Sequence, residues 1–432
     1  MTDTTPPAKL DTLTIHAGTA PDPTTKARIT PIYQTASYVF DDADHAARLF
    51  ALQEFGNIYT RIMNPTNAAL EGKIAALEGG VGALAVASGH AAQFLAFHTL
   101  METGCNIVAA RKLYGGSLNQ IGESFKKFGW EARFVDADDP ANVAAAIDEK
   151  TRVVFIESLA NPGGVIQDIA AIAKVAHDAG VPLMVDNTMA TPMLCRPIEH
   201  GADIVVHSTT KFLNGHGNSI GGVIVDGGKF DWAASDKFPT MSAPNASYHG
   251  AVLTDALAPV GPIAFIIACR VLGLRDLGPA MAPMNAFLTL TGMETLALRM
   301  ERHCSNALAL AKWLKAHPKV SWVSYAGLEG DPYYALAQQY LGGKGGSVFT
   351  FGLKGGYEAG VKLVSSAKLF SHLANLGDTR SLIIHPASTT HSQLSEEELV
   401  RAGAGPDVVR LSIGIEHIDD IIADLSQALD QV

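Results

Sequence analysis

Lys211 follows an apolar run, Ile204, Val205 and Val206, and a row of hydroxyl residues, Ser208, Thr209 and Thr210. The run reads as an interior strand, which places the lysine just beyond the strand's C-terminal end. Burial there lowers an amine's pKa toward neutrality, where it becomes a nucleophile. The neighbouring hydroxyls are donors suited to an anion such as a phosphate ester. An amine that forms a Schiff base beside phosphate donors is what pyridoxal phosphate requires. For this stretch alone, a solvated lysine at a strand end is the plainer reading.

Other strand ends carry polar residues too, and open parallel sheets bind ligands there. Asp186 ends PLMVD. A buried carboxylate needs a positive partner, such as a protonated pyridine nitrogen, unless it only caps the turn at Asn187 and Thr188. Ser88-Gly89-His90 joins a strand to a helix. Glycine there allows close backbone approach and the helix N-terminus attracts phosphate, although most such turns merely connect elements. Tyr114, ahead of Gly115 and Gly116, can lie flat on an aromatic ring or be an ordinary half-buried tyrosine. Glu157 and Asn161 follow RVVFI, where an amide can bond a phenolic oxygen. Tyr59 and Arg61 offer a hydroxyl and a guanidinium to a phosphate, or are surface residues. Arg410 puts a permanent cation into the strand VVRLSIGI, with Ser381 upstream. Its partner is either a structural carboxylate or the α-carboxylate of an amino-acid substrate.

The elements that must hold these residues alternate. Helical spacing over 67–77, 91–100, 141–149 and 169–179 is interleaved with apolar strands over 83–87, 106–109, 132–135, 152–156, 182–185 and 204–206. That rhythm predicts an α/β fold with a mainly parallel sheet covered on both faces. Before it, residues 1–60 read as an arm packing on a neighbouring subunit. Residues 229–286 read as an extended insertion, and one long helix is predicted over 291–317. Strands over 320–325 and 347–351 and a helix over 358–365 then predict a smaller α/β domain. The division is therefore 1–60, 61–290 for a large ligand-binding domain, and 291–432.

The chain has 432 residues, 47% hydrophobic and 17% charged, with net charge -11. That acidic balance argues against nucleic acid or an anionic membrane as partner. Cys105, Cys195, Cys269 and Cys304 stand far apart, so reduced core thiols are expected rather than a disulfide frame or a metal site. MTDTTPPAKL lacks the apolar core of a signal peptide. The apolar run 262–274 is interrupted by Arg270 and too short to span a bilayer. A soluble, cytoplasmic protein is expected. No G-x-G-x-x-G with a following acid supports a nucleotide-dependent oxidoreductase.

Taken together, YTRIMNPT, ASGHAA, LYGGS, ESLANPGG, VDNT, HSTTKFLNGHGNSIGG, SLIIHPASTTH and VVRLSIGIE resemble the Cys/Met-metabolism family of fold-type I pyridoxal-phosphate enzymes. They keep the family's order from Tyr59 to Glu416. The resemblance implies a seven-stranded, mainly parallel sheet, a smaller C-terminal α/β domain, and a homotetramer of site-sharing dimers. By position, Lys211 would be the Schiff-base lysine and proton shuttle, Asp186 the partner of the pyridine nitrogen, and Tyr114 the stacking ring. Asn161 would bond the phenolic oxygen and the substrate. Gly89 and His90 would form the phosphate loop with Ser88, and Ser208 and Thr210 would hold the phosphate. Tyr59 and Arg61 of the neighbouring subunit would join them, with Tyr59 also reaching the substrate. Arg410 and Ser381 would clamp the substrate carboxylate. His90 departs from the methionine or small apolar residue that many relatives carry there. GHGNSIGG looks like the loop of enzymes that turn O-acetylhomoserine and sulfide, or a thiol, into homocysteine, or methionine, and acetate. An O-succinylhomoserine enzyme or a methionine or cystathionine γ-lyase is the alternative. Methionine γ-lyases usually carry a cysteine where Gly116 stands, which counts against that activity.

Overall fold

Local signals set the frame on which the strands are hung. Asn64 accepts from the Thr66 N–H, and Pro65 fixes the first turn of the helix Pro65–Glu78. Ser88 caps Gly89–Leu100 by accepting from Ala91, and Asp168 caps Ile169–Asp178 by accepting from Ala171. The computed structural model describes residues 8–161, 163–390, 392, 395, 397, 399 and 403–432. Pro162 of ESLANPGG and most of HSQLSEEE lie outside the described residues.

Seven strands form the larger sheet: β1 (Gly82–Val86), β2 (Asn106–Ala110), β3 (Glu131–Val135), β4 (Thr151–Glu157), β5 (Leu183–Asp186), β6 (Ile204–Ser208) and β7 (Gly222–Asp226). Their order is β1-β7-β6-β5-β4-β2-β3. β7 pairs antiparallel with both β1 and β6, while the other four pairings are parallel. The mainly parallel sheet is therefore as expected, and β7 is the strand that the sequence reading passed over. β2 is buried throughout, as a strand covered on both faces must be.

A second sheet of five strands follows: β8 (Val320–Ser324), β9 (Val348–Leu353), β10 (Ser371–His372), β11 (Leu382–Ile384) and β12 (Val408–Ser412), in the order β10-β11-β12-β9-β8. Leu310, Phe349, Phe351, Leu411 and Leu425 form a core here, separate from the apolar cluster of the large sheet.

Two expectations need correction. Residues 229–286 are not extended: they fold as a succession of short helical pieces, among them Leu253–Leu257, Ala264–Ala268 and the π-turn Cys269–Leu274. Trp232 stacks on Phe265 at 5.1 Å and meets Phe238 edge-on at 5.2 Å. These rings bury the segment in the main core. The long helix predicted over 291–317 is present as Leu296–Lys315, but it starts later than expected: residues 291–293 end a separate helix, Pro283–Met293, with the break at Glu294–Thr295. The Arg299 guanidinium donates to the Gly292 carbonyl, left without an in-line helical partner there, at 2.7 Å. All four cysteines are free and buried, as expected of core residues. Among the described residues no single helix is long and apolar enough to cross a membrane.

Phe97 lies fully buried between the rings of Phe125 and Phe155, both edge-on at 5.6 and 5.5 Å. Phe97→Ala is expected to remove about 3–5 kcal/mol, read as a lowered denaturant midpoint with an unchanged slope.

Candidate active site

The carboxyl ends of β4, β5 and β6 converge on a cavity of about 250 Å³. Ser88, Gly89, His90, Tyr114, Asn161, Asp186, Ser208, Thr210, Lys211 and Arg410 all line it, so ten of the anticipated residues meet in one cleft. Lys211 is the sole lysine among the lining residues.

Its amine donates to the Asn375 side-chain oxygen. Burial first, then the nearby Arg410, lower the Lys211 pKa to about 8, as anticipated for an amine at a strand end. Asp186 makes the turn cap that one of its two readings foresaw, and it also lines the cleft. Its Oδ1 accepts from the Thr188 N–H at 2.9 Å, capping the turn, while the carboxylate still lines the cleft. Its Oδ2 accepts from Gln93 Nε2 at 3.0 Å.

Arg410, on β12, comes in from the smaller sheet. It donates to Asn161 Oδ1 at 3.2 Å and to the Asn375 carbonyl at 3.0 Å, and its buried Nε has no protein partner. Among the described residues no carboxylate lies within ion-pair distance of it. A buried cation with an orphaned donor is a socket for an anion. Burial lowers its pKa to about 10, and it stays cationic at neutral pH.

One end of the cleft lies at the N-terminus of Gly89–Leu100, where Ser88 takes up the Ala91 N–H and the Gly89 and His90 N–H groups precede the first intrahelical bonds. A Cβ added at Gly89 would stand 2.7 Å from the Ser208 Cβ, so only glycine lets this loop close on β6. Thr210 exchanges hydrogen bonds with the Gly221 backbone, whereas Thr209 is fully buried and turned out of the cleft. Tyr114 stacks on the His90 imidazole, centroids 5.9 Å apart and 27° from parallel. A side chain at Gly116 would collide with the Tyr114 ring.

Three anticipated residues are not brought to this cleft. Ser381 is fully buried, its hydroxyl donating to Glu416 at 2.9 Å and accepting from the Gly414 N–H at 2.9 Å. It ties the residue before β11 to the chain that follows β12 and does not line the cleft. Tyr59 sits under its own Arg61, 5.5 Å from ring centroid to guanidinium, and Arg61 donates to the Arg275 carbonyl. Conversely, Gln93, Thr188 and Asn375 line the cleft without having been anticipated. Gln93 had a signal, as a polar residue inside the apolar helix GHAAQFLAF. Asn375 had none, since its partner Lys211 is 164 positions away.

A sequence profile of the family described as Cys/Met metabolism PLP-dependent enzyme matches residues 11–430. The chain belongs to that family. It is 53% identical over 430 residues to an O-acetyl-L-homoserine sulfhydrylase of Leptospira meyeri, covering 98% of this chain and 97% of the relative. It is 52% identical over 422 residues to a homocysteine synthase of Schizosaccharomyces pombe, covering 97% and 98%. A crystal structure from Campylobacter jejuni, described as an O-acetylhomoserine (thiol)-lyase holding a pyridoxyl-lysine monophosphate, superposes with a TM-score of 0.94. It shares 41% identity and covers 98% of this chain and 100% of that one. The fold and the pyridoxal phosphate dependence are those of the family.

The residues lining the cleft fit that cofactor: an amine of lowered pKa, a carboxylate at the end of β5, and hydroxyls beside a helix N-terminus that opens on a glycine. Gly89→Ala is expected to weaken pyridoxal phosphate binding at least about 10-fold, because the loop must retreat from β6. Titration of the apoprotein by cofactor absorbance checks it.

Proposed function

We propose that this protein is a γ-replacement transferase that takes O-acetyl-L-homoserine and sulfide to L-homocysteine and acetate. The observation that carries the reading is the convergence on one cleft of Lys211, Asp186 and an Arg410 that has no carboxylate partner among the described residues. The relatives named as O-acetylhomoserine sulfhydrylase and homocysteine synthase support it over nearly their whole length.

Pyridoxal phosphate bound here supplies an electron sink for charge developing at the substrate α-carbon. Lys211 would carry its aldehyde, Asp186 would face its ring nitrogen, and Tyr114 would cover its ring. Gly89 and His90 N–H groups, in a loop that Ser88 opens, would hold its phosphate with the Ser208 and Thr210 side chains. Arg410 and Asn161 hold the amino acid by its carboxylate. That orients the α-hydrogen toward Lys211 Nζ, which removes it and later returns it. Acetate leaves from the γ-carbon and sulfide takes its place there.

The γ-lyase alternative loses support at Gly116. Gly116 stands where the family resemblance would place a cysteine in a methionine γ-lyase.

Tyr59 and Arg61, remote from their own cleft, are proposed to complete the site of a second copy. Exposed apolar residues of the arm, Ile29 and Val39, 57% and 96% exposed, support burial against such a copy within a homotetramer. Light scattering of the purified protein tests the assembly. The division into an arm, a cofactor-holding part and a smaller C-terminal part is kept as our reading, supported by two separate apolar cores.

The activity test supplies O-acetyl- and O-succinyl-homoserine, each with and without sulfide. The proposal expects homocysteine from the acetyl ester only when sulfide is present. Release of 2-oxobutyrate without sulfide, at a comparable rate, would replace it with a lyase.

A further inference from the structure

Glu157 ends β4, lines the cleft, and has no part in the assignments above. It is 4% exposed. Its Oε1 accepts from the Tyr114 N–H at 2.6 Å and its Oε2 from the Asn161 N–H at 3.2 Å. Those N–H groups belong to two different loops, one after β2 and one after β4. Tyr114 opens the helix Gly115–Gly122 with no side-chain cap of its own, so the Glu157 carboxyl ties down that end of the helix. Asn161, in turn, accepts from Arg410. A single carboxyl therefore fixes the separation between the Tyr114 ring and the Asn161–Arg410 pair.

The neighbouring strand strengthens the case. Parallel register sets Glu157 beside Asp186 at the ends of β4 and β5. Burial, and then the Asp186 charge, push the Glu157 carboxyl well above the usual carboxylate range. The two N–H donors work against that shift, because they favour the charged carboxyl whose two oxygens both accept.

Resting on the proposed transferase reading, we infer that Glu157 is a positioning residue: it holds Tyr114 at a set distance from the Asn161–Arg410 pair that grips the amino acid. Glu157→Gln keeps the shape but turns an amide NH2 toward one of the two N–H donors, so one tie is lost.

The test is a double-mutant cycle on the cofactor-loaded enzyme, with Tyr114→Ala, which removes the ring, as the second substitution. Glu157→Gln alone is expected to lower kcat about 10-fold with KM changed less than about 3-fold. In the Tyr114→Ala background its further cost should shrink to under about 3-fold, because it acts through the ring. The visible circular dichroism band of the bound cofactor should also change in Glu157→Gln, since the ring beside it shifts. Should Glu157→Gln not fold, Glu157→Asp, which keeps two acceptors but falls one methylene short, is read in the same way. Equal cost in both backgrounds, or a lower melting temperature with kcat and the dichroism band untouched, overturns the inference. Absence of homocysteine synthesis by the unsubstituted enzyme would instead sink the transferase reading.

Discussion

Lys211→Ala is expected to lower homocysteine formation by at least about 10⁴-fold, the upper end of what a proton-transferring group contributes. The cleft would still accept free pyridoxal phosphate, because the phosphate loop and Asp186 are untouched. The effect is large because one amine does two things: it carries the cofactor aldehyde and moves the α-hydrogen. Its environment equips it for both. Burial and Arg410 lower its pKa to about 8, so a sizeable neutral fraction exists near physiological pH. The same shift has a sign that can be measured. The neutral amine is the form that captures the aldehyde, so cofactor capture by the apoprotein should speed up as pH rises and level off above about 8. A lysine at its ordinary value would keep accelerating toward 10.5. Stopped-flow absorbance across that range separates the two.

Arg410→Ala should act mainly on the amino acid. Loss of a buried cation that pairs with a carboxylate costs about 2–4 kcal/mol, or roughly 30- to 1000-fold in kcat/KM, carried largely by KM. Arg410→Lys should recover little, since a point charge cannot keep the bond to Asn161, the bond to the Asn375 carbonyl and a carboxylate at once. A second consequence follows from charge alone. Removing the guanidinium removes one of the two causes that lower the Lys211 pKa. The pH at which cofactor capture levels off should therefore move upward in Arg410→Ala. Steady-state kinetics with O-acetylhomoserine, together with the capture profile, check both effects. An unchanged KM would remove Arg410 from substrate binding.

What the sequence revealed has a physical pattern. β2, β4, β5 and β6 are buried on both faces, so each is a run of apolar residues, and the polar residue that ends it stands out. That is why Asp186 and Lys211 were readable, and why Arg410 was conspicuous inside VVRLSIGI. β7 escaped because GVIVD continues directly out of the glycine-rich loop that ends at Gly221, so nothing local marks its start. The segment 229–286 misled because Phe265, Ile266, Ile267 and Ala268 are buried on every side of one short helix, which leaves no stripe to count. The break at Glu294 is invisible locally, since it is stabilised by Arg299 from the following helix. Ser381 was misplaced for a related reason: its partner Glu416 lies beyond β12, and only the fold brings them together. Asn375 was missed because its value is entirely tertiary, joining Lys211 and Arg410 from a loop between two short strands. Gly89 was read correctly as a close-approach glycine, but which neighbour it approaches, Ser208, required the structure.

The account turns on which amine in this chain holds the cofactor. Borohydride reduction of the cofactor-loaded protein, followed by proteolysis and mass spectrometry, reads that directly. The account expects one pyridoxyl-phosphate adduct per chain, on the peptide containing Lys211. An adduct on another lysine, with Lys211 recovered unmodified, would contradict it.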